Sequence, residues 1–125
     1  MSTQAMHHIL TVDDSRAMRE MMSLTLRGAG FMVSCARDGA EALALAKRQR
    51  FSLVITDINM PELDGFALIQ ALRALPEYRH TPILTLTTED SPEQKQTGRI
   101  AGATGWMVKP FDPERLLATL RRVLP

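Results

Sequence analysis

Short apolar runs rich in β-branched residues alternate along this chain with longer amphipathic stretches, and that alternation restricts the possible folds more than any other feature. The short runs are His8-Ile9-Leu10-Thr11-Val12, Met32-Val33-Ser34-Cys35-Ala36, Ser52-Leu53-Val54-Ile55-Thr56, Pro82-Ile83-Leu84-Thr85-Leu86 and Trp106-Met107-Val108. They are of strand length, and several are too continuously apolar for a sheet with one wet face. The stretches between them carry helix signals. The first begins at about Ser15, places Met18, Met21, Met22, Leu26 and Ala29 on one face as core, and stops at Gly30. Before the second, Asp38 can cap while Glu41 reaches back, the spacing of a capping box. Asp64 precedes the third, whose stripe is Phe66, Ile69, Leu72 and Leu75. Ser91-Pro92-Glu93-Gln94 opens the fourth, with proline where a missing N–H is harmless. Asp112-Pro113 opens the fifth, with Leu116, Leu117, Leu120 and Val123 facing inward. The fourth has the weakest stripe and two internal glycines, Gly98 and Gly102, so it is expected to be the most mobile helix.

Five strands alternating with five helices predict an α/β fold, a parallel sheet covered on both faces and wound with right-handed crossovers. The 125 residues suit one domain, 1–125, and a 45% hydrophobic content supplies a core without staples. A net charge of +1 argues against bulk nucleic acid or an acidic membrane as partner. No apolar run approaches the roughly 18 residues of a membrane span, and Asp13-Asp14 interrupt the stretch where a signal peptide would be apolar. The lone Cys35, in a strand of buried pattern, can form no internal disulfide, which fits a reducing cytoplasmic location.

In open parallel sheets, ligands bind beyond the carboxyl ends of the strands, near a switch in strand order. Asp13 and Asp14 follow the first strand, Asp57 follows the third, Thr87 and Thr88 end the fourth, and Lys109 ends the fifth. Carboxylates a few Å apart repel by roughly 4 kcal/mol per pair at an intermediate dielectric. Such a cluster calls for a cation or for shifted protonation. A hard divalent ion suits oxygen ligands, and Mg²⁺ commonly takes one or two carboxylates, waters and a phosphate oxygen. With Lys109 adding a positive charge and Thr87 a hydroxyl, the set suits a phosphoryl group better than metal alone. Asp57 is the candidate acceptor, since a carboxylate can form an aspartyl phosphate. Taken singly, each residue has a plainer reading. Asp13 or Asp14 could cap a helix, Asp57 could end a strand, Lys109 could be a solvated surface lysine, and Thr87 could serve β-propensity. Convergence on one edge is what favours the functional reading.

Together, Val12-Asp13-Asp14-Ser15, Asp57-Ile58-Asn59-Met60-Pro61-Glu62-Leu63-Asp64-Gly65, Thr87-Thr88-Glu89 and Lys109-Pro110-Phe111 resemble the receiver domain of two-component response regulators. The resemblance runs from about His8 to Leu124, and Gly102–Phe111 looks most like the stand-alone chemotaxis regulators. It implies a flavodoxin-like (βα)5 doubly wound sandwich of strand order 2-1-3-4-5, an order that comes with the family and not from the patterning. It further implies that Asp57 accepts a phosphoryl group from a histidine kinase. Asp14, Asp57 and the Asn59 carbonyl would hold Mg²⁺, with Asp13 supporting through water. Lys109 would pair with the phosphoryl oxygens, beside a cis Lys109-Pro110 bond. Thr87 would move to hydrogen-bond the phosphoryl group, and Trp106 would turn inward, carrying the change to the surface of the fourth helix, fifth strand and fifth helix. The family usually has tyrosine or phenylalanine where Trp106 stands, and an indole is larger with only an N–H donor. Asn59 and Glu89 match the short-lived chemotaxis type, which implies dephosphorylation in seconds to minutes.

The implied partners are a chemotaxis-type histidine kinase, a flagellar motor-switch protein or other output protein, and a phosphatase, with the chain a monomer. Lys95, Arg99, Arg115, Arg121 and Arg122 on the last two helices make a mildly basic face, suited to an acidic peptide beside Trp106 or simply to the helix dipoles. A chain ending after the fifth helix would leave its output to protein binding. Two alternatives stand beside this reading. One is a phosphate sink or relay receiver outside motor control. The other is a free-standing Mg²⁺-dependent aspartyl-phosphate phosphatase, for which only Glu89 offers an acid–base group. A nucleotide or flavin role is disfavoured, because there is no glycine-rich phosphate loop and Asp13-Asp14 would repel a cofactor phosphate. His7-His8 read as incidental.

Overall fold

Strands that are apolar on both faces need cover on both faces, and the intervening helices supply it. The computed structural model describes residues 7–125. Its elements are β1 (His8–Val12), α1 (Arg16–Gly28), β2 (Met32–Ala36), α2 (Gly39–Arg48), β3 (Leu53–Thr56), α3 (Gly65–Arg73), a 3-10 turn (Pro76–Tyr78), β4 (Ile83–Thr87), α4 (Pro92–Ala101), β5 (Gly105–Val108) and α5 (Pro113–Val123). All five strands pair in parallel, in the order β2-β1-β3-β4-β5. On one face Leu10, Val12, Val54 and Ile83 pack with Ala42 and Ala46 of α2 and Leu68, Ile69 and Leu72 of α3. On the other, Ile9, Leu53, Ile55, Leu84 and Leu86 pack with Met22 and Leu26 of α1 and Leu116 and Leu120 of α5. Each large apolar side chain buried this way contributes about 1.5–3 kcal/mol.

The caps form where the sequence places them. Ser15, Asp38, Asp64, Ser91 and Asp112 each accept a backbone N–H from the first turn of the helix that follows. Four details differ from expectation. Glu41 reaches back to the N–H of Arg37 (3.0 Å) rather than to that of Asp38, and it also pairs with the Arg37 guanidinium at 3.5 Å. Met21 is 52% exposed, because it lies 100° behind Met22 on the helix wheel and falls outside the stripe centred on Met22 and Leu26. Gly102 is not inside α4 but ends it, in the left-handed conformation (φ 116°) that glycine adopts without strain. Cys35 is only partly buried, since β2 lies at an edge of the sheet.

The register matters most for function. Val12 is level with Ala36 and Thr56, Thr56 with Thr85, and Thr87 with Val108. The ladder runs on past the strand ends. Asp13 N–H donates to the Ala36 carbonyl (3.1 Å), Asp57 N–H to Val12 (2.9 Å) and Lys109 N–H to Thr87 (2.8 Å). Backbone pairing therefore delivers three residues, remote in sequence, to one rim.

Candidate functional site

Asp13 leaves β1 fully buried, Asp57 leaves β3 at 7% exposure, and Asp14 faces solvent. One carboxylate oxygen from each lies within 4.8 Å of the others. The Lys109 ammonium, arriving from β5, stands 2.8 Å from Asp13 Oδ2 and 3.1 Å from Asp57 Oδ2. The contact with Asp13 is a charge pairing rather than a well-aligned hydrogen bond, and Asp13 Oδ2 has no other partner among the described residues. The remaining oxygens are held by backbone: Ser15 N–H donates to Asp13 Oδ1 (2.9 Å) and Ile58 N–H to Asp57 Oδ1 (2.7 Å). Arg19 of α1 pins the turn from below, its guanidinium donating to the Asp13 carbonyl at 2.7 Å. Gly65 makes the β3–α3 turn possible, because a Cβ there would fall 2.2 Å from the Asp57 carbonyl oxygen.

Three carboxylates against one ammonium leave a formal charge of −2 in a largely buried place. Burial raises the Asp13 carboxyl above its ordinary value, and the Lys109 ammonium and the Ser15 N–H only partly oppose this. Burial also pulls Lys109 down, but its contacts with Asp13 and Asp57 outweigh burial and hold the ammonium above its usual range. The lysine is therefore a fixed cation at neutral pH. An all-oxygen donor set with surplus negative charge and one exposed member fits a hard divalent cation such as Mg²⁺.

The profile of the response regulator receiver domain matches residues 9–121. This chain belongs to that family. The receiver domain is 41% identical over 116 residues to the response regulator MprA of Mycobacterium leprae, covering 93% of this chain and 50% of that protein. It thus spans about half the length of the curated relatives it matches. Among solved structures, the chemotaxis protein CheY4 of Vibrio cholerae superposes with a TM-score of 0.91 at 55% identity, covering 94% of this chain and 98% of that one. The receiver domain of sensor histidine kinase PA1611 from Pseudomonas aeruginosa, described with magnesium coordinated in its active-site cleft, superposes with a TM-score of 0.87 at 30% identity, covering 94% and 96%. Receiver domains generally bind Mg²⁺ at an acidic pocket, and this chain has an acidic cluster of Asp13, Asp14 and Asp57.

The other residues singled out in the receiver domain sort into two groups. Thr87 is fully buried, and its Oγ1 accepts the Glu89 N–H at 3.3 Å. The Asn59 side-chain amide donates to Glu89 Oε1 at 3.0 Å, bridging the β3–α3 and β4–α4 loops across the mouth of the pocket. Trp106 is half-buried and donates its indole N–H to the Glu89 carbonyl at 2.9 Å. The Lys109-Pro110 bond is cis. Away from the pocket, a groove of about 430 Å³ between β5 and α5 is lined by Trp106, Phe111, Arg115 and Arg122 among others. Lys95 and Arg99, placed beside it by the sequence, lie on α4 outside the lining, and Lys95 is neutralised by Asp90 at 2.9 Å. His8 has a structural use, pairing with Ser34 Oγ at 2.7 Å and packing edge-on against Phe51. Arg19 went unnoticed in the sequence because nothing in helical spacing points it toward a loop carbonyl.

Proposed function

We propose that this receiver domain is a Mg²⁺-dependent phosphoacceptor in which Asp57 takes a phosphoryl group from a histidine kinase and thereby changes what the α4–β5–α5 face binds. The observation that carries this reading is the clustering of Asp13, Asp14 and Asp57 at the carboxyl rim of the sheet, with the Lys109 ammonium paired to Asp13 and Asp57. In the transfer, an Asp57 carboxylate oxygen forms the new P–O bond while the donor's P–N bond breaks, its electron pair returning to the imidazole. Asp14, Asp57 and the Asn59 carbonyl would hold Mg²⁺, with Asp13 supporting through water, and the ion would supply neutralisation of the transferring oxygens. Lys109, already between two acceptors, pairs with a phosphoryl oxygen, and Thr87 offers it a hydroxyl donor. Asn59 and Glu89 flank the approach of hydrolytic water and favour a short-lived acyl phosphate.

A chemotaxis role, working in the cytoplasm as a monomer through a kinase, a flagellar motor-switch protein and a phosphatase, draws support from the 55% identity to CheY4 along nearly the whole of both chains. The cationic lining of the β5–α5 groove suits an acidic output peptide. A second reading, transcriptional control, draws on the 36% identity over 116 residues to the probable transcriptional regulatory protein TcrX of Mycobacterium tuberculosis. Incubation with Mg²⁺ and acetyl phosphate should add one phosphoryl group by intact mass and change Trp106 fluorescence. Asp57→Asn should do neither, and undiminished labelling of that variant would reject the acceptor assignment. Phosphorylation-dependent retention by a purified motor-switch protein would favour the chemotaxis role, whereas indifference to phosphorylation would reject it.

A further inference from the structure

Gly98 sits inside α4, buried, where no turn or helix end calls for glycine. Glycine at such a position costs about 1 kcal/mol relative to alanine. Its neighbour explains it. A Cβ at Gly98 would lie 2.7 Å from Trp106 Cζ3 and 3.0 Å from Cε3, closer than real carbon contacts allow. The six-membered ring of the indole thus occupies the space a side chain would take. Two further contacts fix the ring. Phe66 of α3 stacks on it at 6.2 Å between centroids and 22° between planes. The indole N–H donates to the Glu89 carbonyl at 2.9 Å, the only kind of bond an indole nitrogen can make. The amide of the same Glu89 residue donates to Thr87 Oγ1 at 3.3 Å. One residue of the β4–α4 loop therefore joins the ring to the threonine at the rim.

We propose that Gly98 is a positioning residue for Trp106: by omitting a Cβ, α4 opens a slot that seats the indole against the helix and on the Glu89 carbonyl, so that the ring clasps α4 to β5 while Asp57 is unmodified. When the Thr87 hydroxyl turns toward a phosphoryl group, Glu89 loses that acceptor and the seat of the ring changes with it. The signalling use of the slot rests on the phosphoacceptor reading above, but its geometry does not.

The test uses the whole unphosphorylated chain, in which Trp106 is the single tryptophan. Gly98→Ala should red-shift its emission and raise the acrylamide quenching constant several-fold. The same substitution should lower the thermal midpoint in the wild-type background but raise it in a Trp106→Ala background, where the helix preference of alanine is unopposed. Unchanged emission, or a midpoint shift of the same sign in both backgrounds, would overturn the slot. Should Gly98→Ala fail to fold, recovery of folding in Gly98→Ala/Trp106→Ala supports the slot, and continued failure overturns it. Mg²⁺ and acetyl phosphate are then added to wild type and Gly98→Ala. A fluorescence response confined to wild type supports the link to the rim, and equal responses in both overturn it. No response in wild type, with phosphorylation absent by mass, strikes the phosphoacceptor reading while the thermal cycle still decides the slot.

Discussion

At the amino-terminal end of the sheet, the Tyr78 hydroxyl lies 2.8 Å from the Ala46 carbonyl and 2.9 Å from that of Gln49, and accepts the Phe51 N–H at 3.3 Å. Nearby, the Arg73 guanidinium donates to the carbonyls of Tyr78 (2.6 Å), Thr81 (2.7 Å) and Gly102 (3.0 Å). At the carboxyl-terminal end, by contrast, three carboxylates crowd together, one ammonium pairs with two of them, and Asp13 Oδ2 has that ammonium alone among the described residues. Both ends bury polar groups, but only one satisfies them. Groups that hold a fold are matched by acceptors as the chain collapses, whereas a surplus of like charge persists where a cation and a ligand are meant to complete it.

If that contrast is sound, removing polar groups from the two ends should change stability with opposite signs. The largest effect is expected for Arg73→Ala, which strips donors from several carbonyls around the 3-10 turn and the end of α4 and should cost about 3 kcal/mol. Urea unfolding measures it, and Mg²⁺ affinity should stay unchanged because the rim lies at the other end of the strands. Tyr78→Phe should follow at about 1–2 kcal/mol, for the lost hydroxyl alone. Asp13→Asn should instead stabilise the Mg²⁺-free protein by about 1 kcal/mol, since it relieves burial and like-charge repulsion while Lys109 keeps Asp57 as partner. A loss of stability in Asp13→Asn of the size seen at Tyr78 would erase the distinction between the ends.

The smallest effect is a pH dependence. Burial raises the Tyr78 phenol above its ordinary 10.0, outweighing the hydrogen bond from Phe51. A raised folded value means that the stabilisation is complete below pH 10.0 and is lost as pH rises through the folded value. Wild type should therefore lose more stability than Tyr78→Phe in that window, measured by denaturant midpoints at stepped pH.

Much of this was readable in the sequence because it depends on local rules. The limits of β1 and β2, the five caps and the helix-ending role of Gly30 follow from periodicity and side-chain chemistry within a few residues. Asp13, Asp57, Thr87 and Lys109 were legible for a different reason: a parallel ladder with its register fixed brings strand ends to one edge whatever the details. What escaped depends on the close approach of elements far apart in sequence. Gly98 reads as a helix weakness until Trp106 is found against it. Arg73 drew no reading from the sequence, because the Gly102 and Thr81 carbonyls that close around it belong to other segments. Met21 fell just beyond the buried stripe, whose width is set by the packing of α1 on the sheet rather than by its period.

The contrast between the ends is tested most directly by thermal unfolding in EDTA and in Mg²⁺, for wild type and Asp57→Asn. An ion that binds only the folded rim stabilises by about 2.7 kcal/mol at a hundredfold excess over its dissociation constant, so the wild-type midpoint should rise with Mg²⁺. In Asp57→Asn the rise should shrink sharply. A wild-type midpoint indifferent to Mg²⁺, or an equal rise in the variant, would contradict a rim built to hold a cation beside Asp57.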